Sequence, residues 1–192
     1  MKPFKFKNIN KYTVIDACST VNLISSKMFL SHALNDGFEF NMTRNVEFEL
    51  VSKPLRRPNK RIEEQREYIK HLLAQKDLIR TSLSIDDLHE LAELEERKKL
   101  GIGELSCIAY AKHKRLTVIT DDTDAGNFAE KVLGNDYANN TADLLGNLLY
   151  RRIIIDNEYD SLIQEHLNNK GNMKSLYDAV RSIAIREMYS SN

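Results

Sequence analysis

The sequence predicts a three-layer α/β/α domain with a mainly parallel central sheet and a C-terminal helical extension. Three observations carry that expectation. Short β-branched runs alternate with segments of helical period, the pattern of a parallel sheet covered by helices. Two of those runs, residues 13–15 and 116–120, deliver the chain to aspartates, Asp16 and Asp121. Beyond about residue 140 every periodic segment is helical.

Taken in order, residues 13–16 (TVID) read as a strand ending in an acid. Val21, Leu23 and Ile24 then mark a helix to which Ser19 offers an N-cap. Residues 38–43 (FEFNMT) alternate as a strand does, and Val46 and Leu50 share a helical face with Glu49 beside it. Pro54 and Pro58 break the regular structure. Arg56, Arg57, Lys60, Arg61 and Arg66 follow as the densest basic cluster, offset by Glu63, Glu64 and Glu67. Residues 59–75 form a polar helix with Ile62, Tyr68, Ile69 and Leu72 inward. A solvated face is the plainer reading of that cluster, and phosphate contact the sharper one. Residues 79–85 predict a strand, and 86–99 a helix with Leu88, Leu91 and Leu94 inward.

Gly101 and Gly103 precede Glu104, which opens a helix carrying Leu105, Ile108 and Ala109 at helical spacing. Lys112, His113, Lys114 and Arg115 close it with the charge a helix C-terminus favours. Residues 116–120 form a buried strand that brings Asp121, Asp122 and Asp124 to a turn. The helix over 125–133 stops at Gly134. A loop over 135–140, a helix from Thr141 through about Tyr150, and helices over 158–167 and 175–188 complete the chain. The expected division is a domain over residues 1–150, with a basic helical insert at about 54–100, and an extension over 151–192.

A chain of 192 residues can bury one real core. Lys and Arg number 28 and Asp and Glu 28, which excludes a globally polycationic binder but not a local basic surface. No apolar run could span a bilayer, and the opening MKPFKFKN lacks a signal-peptide core, so a cytoplasmic protein without a membrane partner is expected. Cys18 and Cys107 read as small buried apolar residues rather than a disulfide or zinc pair. The five histidines show no metal-site spacing, and Gly101-Ile102-Gly103 lacks the further glycine or lysine of a phosphate loop.

In a parallel sheet the ends of the strands after Ile15 and Thr120 lie at one edge, where ligands gather. Asp16, Asp121 and Asp122 are expected to meet there, with Glu104 aimed at the same place. Taken singly, Asp16 could merely complement a helix dipole, and Glu49 could be a solvated surface acid. Together, carboxylates at close range repel unless a cation neutralises them. Hard oxygen ligands select Mg2+ or Mn2+ over zinc. Such an ion can activate water and stabilise a leaving oxygen in phosphodiester hydrolysis, with no serine or histidine nucleophile.

These residues carry a resemblance to the PIN-domain family, a nuclease-like fold found in toxin–antitoxin ribonucleases and RNA-processing enzymes. The matching pieces are VIDACSTVNLI, VEFEL, GIGELSCIAYAKH and LTVITDDTDAGNFAEKVLG, covering roughly residues 11–150. Their arrangement is especially similar to the PIN-like branch in which a GE pair opens a helix followed by a strand ending in DD. The resemblance implies a catalytic set of Asp16, Glu49, Glu104 and Asp121. It implies Mg2+ or Mn2+ as cofactor, with Asp122 or Asp124 as a further ligand beside Asp16, Glu104 and Asp121. Glu47 competes with Glu49 for the second acid. Ser19 matches a polar residue that bonds the first acid, and Ser19, Arg56 and Arg57 are the expected substrate contacts. RNA is the implied substrate, an antitoxin or regulatory protein the implied partner, and a toxin or defence effector in a homodimer the implied setting. Three departures stand out: the long stretch between Glu49 and Gly103, Gly126 in place of the basic residue common in that branch, and the helical C-terminus. Two other readings stay open at this stage, an inactive interaction module working through the C-terminal helices, and a different phosphoryl-transfer reaction such as phosphatase or DNA-nuclease work.

Overall fold

The computed structural model describes residues 6, 9–55, 57 and 59–190. The strands are β1 (Tyr12–Ile15), β2 (Glu39–Thr43), β3 (Leu78–Thr81), β4 (Thr117–Ile119) and β5 (Ala138–Asn139). They lie in the order β3-β2-β1-β4-β5, every pairing parallel. The connections are α1 (Ala17–Ile24) and α2 (Lys27–Asn35) after β1, then α3 (Arg44–Glu47), a π turn (Phe48–Ser52) and α4 (Lys60–Gln75) after β2. Next come α5 (Ile85–Arg97) and α6 (Ile102–Lys114) after β3, and α7 (Thr123–Leu133) after β4. Three helices follow β5: α8 (Thr141–Tyr150), α9 (Asp156–Asn168) and α10 (Lys174–Ser190).

The layers follow from this order. Parallel strands need crossovers, and right-handed crossovers running in opposite directions along a sheet cover opposite faces. Helices α5, α6 and α7 pack together, with α6 across β1, β2 and β4. On the other side α1, α2, α8, α9 and α10 contact one another. Strand order reverses direction between β1 and β4, and that switch point is where open α/β sheets hold ligands. The predicted three-layer fold with its helical extension is therefore present. No described helix is long and apolar enough to cross a membrane.

Several boundaries differ from the expectation, each for a physical reason. Asp16, not Ser19, caps α1, because the strand ends one residue earlier and the Asp16 carboxylate reaches the Ser19 amide at 2.7 Å. Residues 138–139 form edge strand β5 instead of loop; two residues without a β-branched side chain give no strand signal. Leu88 is 52% exposed, because α5 turns Asp87, Glu90, Leu91 and Leu94 inward. Asp87 is held inside by Ser84 at the N-cap and by His113 at 2.8 Å. Cys107 is buried as expected, whereas Cys18 is exposed. The stretch at 54–100 supplies edge strand β3, so it is woven into the sheet.

Candidate active site

Register builds the site. Ile15 pairs with Ile119, so the residues that follow, Asp16 and Thr120, leave the sheet side by side. Thr120 Oγ1 donates to Asp16 Oδ2 at 2.6 Å and accepts the Asp122 amide at 3.3 Å. The other Asp16 oxygen caps α1. Ser19 then links the two strand ends, because its hydroxyl accepts the Asp121 amide at 2.7 Å. Ser19 is fully buried and its hydroxyl is committed to this link rather than turned outward to a substrate.

Asp121 is gripped from the far side. Thr141, at the start of α8, donates its amide to Oδ1 at 2.8 Å and brings its hydroxyl within 2.9 Å of both carboxylate oxygens. Asn22 of α1 donates to Oδ2 at 2.8 Å. Asp122 caps α7, accepting the Ala125 amide at 2.8 Å. Glu104 sits one turn into α6, where it accepts the Gly101 amide at 2.9 Å. The second oxygens of Asp122 and Glu104 take no hydrogen bond among the described residues.

Glu49 reaches the same place through the π turn, a local widening of the helix that re-aims side chains. Its carboxylate lies against Gly103, where an added Cβ would stand 2.9 Å from Oε1, so a side chain at residue 103 would push the Glu49 carboxylate aside. Glu47 points elsewhere. Arg80 of β3 grips both its oxygens, at 2.6 and 2.8 Å, and holds its carboxyl below the usual range.

The electrostatics mark Asp16, Asp121 and Glu104 as strained in charge. Burial pushes Asp16 up to about 6, with Asp121 adding repulsion, although hydrogen bonds from Thr120 and Ser19 work against it. Burial also raises Asp121, opposed by Thr141 and Asn22, and raises Glu104, which feels Asp122, Glu49 and Asp124 as well. Partial desolvation, together with Asp121, Asp16, Asp122 and Glu104, pushes the solvent-facing Cys18 thiol up to about 11, which keeps it protonated at neutral pH. Among the described residues no lysine, arginine or histidine pairs with Asp16, Glu49, Glu104, Asp121 or Asp122. Asp124 lies at the rim: its side chain is 74% exposed and Lys98 stands 3.9 Å away.

A family model for the PIN domain matches residues 14–131. The chain belongs to the PIN-domain family. No curated protein and no solved structure matches it. PIN domains are nuclease-like in general and typically use divalent metals. The carboxylates just described suit that use in one respect and await it in another. Their donors are hard oxygens without a cationic partner among the described residues. Among those residues no three acid, imidazole or thiol groups already converge on a single point.

Of the expected substrate contacts, Arg57 is exposed in the segment before α4, with no described contact to the acids, and Arg56 lies outside the described residues. Within the basic cluster Lys60 pairs with Glu64, and Arg61 and Arg66 bond the backbone carbonyls of Asn169 and Lys53. Sequence reasoning missed Asn22, Thr120 and Thr141, the residues that orient Asp16 and Asp121. The TVIT run did hold a signal for Thr120, a hydroxyl at a strand end directly before an acid.

Proposed function

We propose that this PIN-domain protein is a metal-dependent endoribonuclease that hydrolyses RNA phosphodiester bonds at the Asp16–Glu104–Asp121 cluster. One observation carries the reading: Asp16 and Asp121, with Glu104 beside them, hold raised pKa values at the sheet's switch point without a basic counter-charge among the described residues. Such an arrangement costs folding energy unless a cation is bound. Asp16, Glu104 and Asp121 would hold Mg2+ or Mn2+, with Asp122 beside them and Glu49 closing the side towards α6. A bound divalent ion would generate a hydroxide nucleophile and stabilise the leaving oxygen.

The chain's own residues supply orientation. Thr120 and Ser19 fix Asp16 against Asp121, Thr141 and Asn22 fix the plane of the Asp121 carboxylate, and Gly103 lets Glu49 in. Substrate strands would approach along the open edge beyond Asp124, and Arg57 lies on the exposed segment that follows the π turn. As a toxin or defence effector, the protein would pair with an inhibitory antitoxin and act as a homodimer, a part of the reading tested by co-purification with the product of a neighbouring small gene.

The deciding test is cleavage of a mixed RNA and single-stranded DNA panel with Mn2+, Mg2+ or EDTA, comparing the natural chain with Asp121→Asn. Cleavage of RNA that needs metal and is lost in the variant is the expected result. Removing such a carboxylate should lower the rate by about a hundredfold or more. A folded protein that cuts neither polymer and binds no Mn2+ would move the assignment to an interaction module.

A further inference from the structure

Building on the nuclease reading, we propose that Tyr177, on the C-terminal helix α10, is a positioning residue of the active site. Its hydroxyl orients Thr141, and through Thr141 the carboxylate of Asp121. Tyr177 is fully buried. Its ring stands edge-on to Phe29 of α2, with centroids 5.9 Å apart, and tilts against His166 of α9 at 4.9 Å. His166 is itself pinned, since Nε2 accepts the Met173 amide at 3.1 Å and Nδ1 meets the Ser25 hydroxyl. The phenol is thus aimed by three helices at one target, donating to Thr141 Oγ1 at 3.0 Å.

Proton counting gives the contact its meaning. The Thr141 hydroxyl has one proton and lies 2.9 Å from both Asp121 oxygens. When Tyr177 donates to the Thr141 oxygen, the Thr141 proton is left to point at Asp121. Tyr177→Phe keeps the ring and removes that constraint, freeing the threonine hydroxyl to rotate. Burial together with the Asp121 charge holds the phenol well above its usual pKa, so it stays a donor at neutral pH.

Tyr159 provides the control. It is an equally buried C-terminal tyrosine whose hydroxyl donates to Asp178 at 2.8 Å, with no bond to the acids. Full-length Tyr177→Phe, Tyr159→Phe, Thr141→Val and the Tyr177→Phe/Thr141→Val double variant would be compared with the natural chain. The readouts are kcat and KM on RNA with Mn2+, Mn2+ affinity without RNA by electron paramagnetic resonance, and thermal stability. Tyr177→Phe should lose about tenfold in kcat or Mn2+ affinity with KM for RNA unchanged, the size expected for an outer partner of a ligand. Tyr159→Phe should lose stability alone. In the double variant, Tyr177→Phe should add less than about twofold to Thr141→Val, because both act through one hydroxyl.

The proposal is overturned if Tyr177→Phe keeps natural kcat and Mn2+ affinity, if both tyrosine variants lose activity in proportion to stability, or if Tyr177→Phe does not fold. A natural chain that neither cleaves RNA nor binds Mn2+ sinks the nuclease reading and this inference with it. Natural activity that is unchanged in Tyr177→Phe sinks this inference alone.

Discussion

Asp16 illustrates what the site costs a metal-free chain. Its folded-state pKa, about 6, stands above the ordinary 3.8. The folded chain therefore holds the proton more tightly than the unfolded one. Stability from this group is complete below about pH 4 and is lost as pH rises through about 6. A shift of about two units corresponds to roughly 3 kcal/mol lost at pH 7.5. Asp16→Asn should accordingly raise the melting temperature of EDTA-treated protein at neutral pH, with the gain vanishing near pH 4. Added Mn2+ should stabilise the natural chain and leave the variant unmoved. A variant less stable at every pH would show that the Ser19 and Thr120 hydrogen bonds outweigh the buried charge. Gly103→Ala makes a second residue-scale case, since its Cβ must displace the Glu49 carboxylate. We expect cleavage to fall about ten- to hundredfold, the scale of an ångström misplacement, with stability in denaturant unfolding unchanged or raised by up to about 1 kcal/mol, because the Glu49 carboxylate can swing aside and alanine favours the helix. A natural rate in that variant would remove Glu49 from the site. The placing of Asp16 and Asp121 at neighbouring strand ends was legible from sequence, because strands of a parallel sheet end at a shared edge. The different surroundings of Glu49 and Glu47 were not, since they turn on a π turn and on an arginine from β3, far away in sequence.

At the scale of elements, helices with strong period were legible to within about two residues: α4, expected over 59–75, begins after an Asn59 cap, and α7, expected over 125–133, begins two residues earlier because Asp122 caps it. What sequence left hidden was set by neighbours. Strand β5 exists because its two residues hydrogen-bond to β4, not through their own propensity. The inward face of α5 is set by a polar pair, Asp87 with His113, that no hydrophobic pattern encodes. The packing of α8 against α10 depends on Gly146, where an added Cβ would stand 2.5 Å from Val180 Cγ2 and 3.0 Å from the Phe6 Cβ. In an isolated helix Gly146→Ala would gain about 1 kcal/mol from propensity. Here the clash should reverse the sign, for a net loss of about 1–2 kcal/mol, read from the midpoint of urea unfolding. A stabilised variant would mean that α10 slides easily on α8.

At the scale of the whole molecule, one hydrophobic core runs across the boundary expected at residue 150. Residues 151–192 read as an appendage, yet Tyr159, Leu162, Ile163, Tyr177, Val180 and Ala184 belong to the same core as Val14, Ile15 and Val118 of the sheet. The family match ends at residue 131, and the core does not. Burying each large side chain contributes about 2 kcal/mol, so removing Tyr159, Leu162, Ile163, Tyr177 and Val180 would withdraw on the order of 10 kcal/mol. That is comparable to the entire stability of an ordinary domain, about 5–15 kcal/mol. A chain ended after Tyr150 should therefore lose cooperative unfolding and near-ultraviolet dichroism, rather than persist as a smaller folded domain. Because α10 also carries the tyrosine that reaches Thr141, loss of the extension and loss of the site would come together. Should the truncated chain unfold cooperatively, the extension is a separable module, and the two losses can be measured apart.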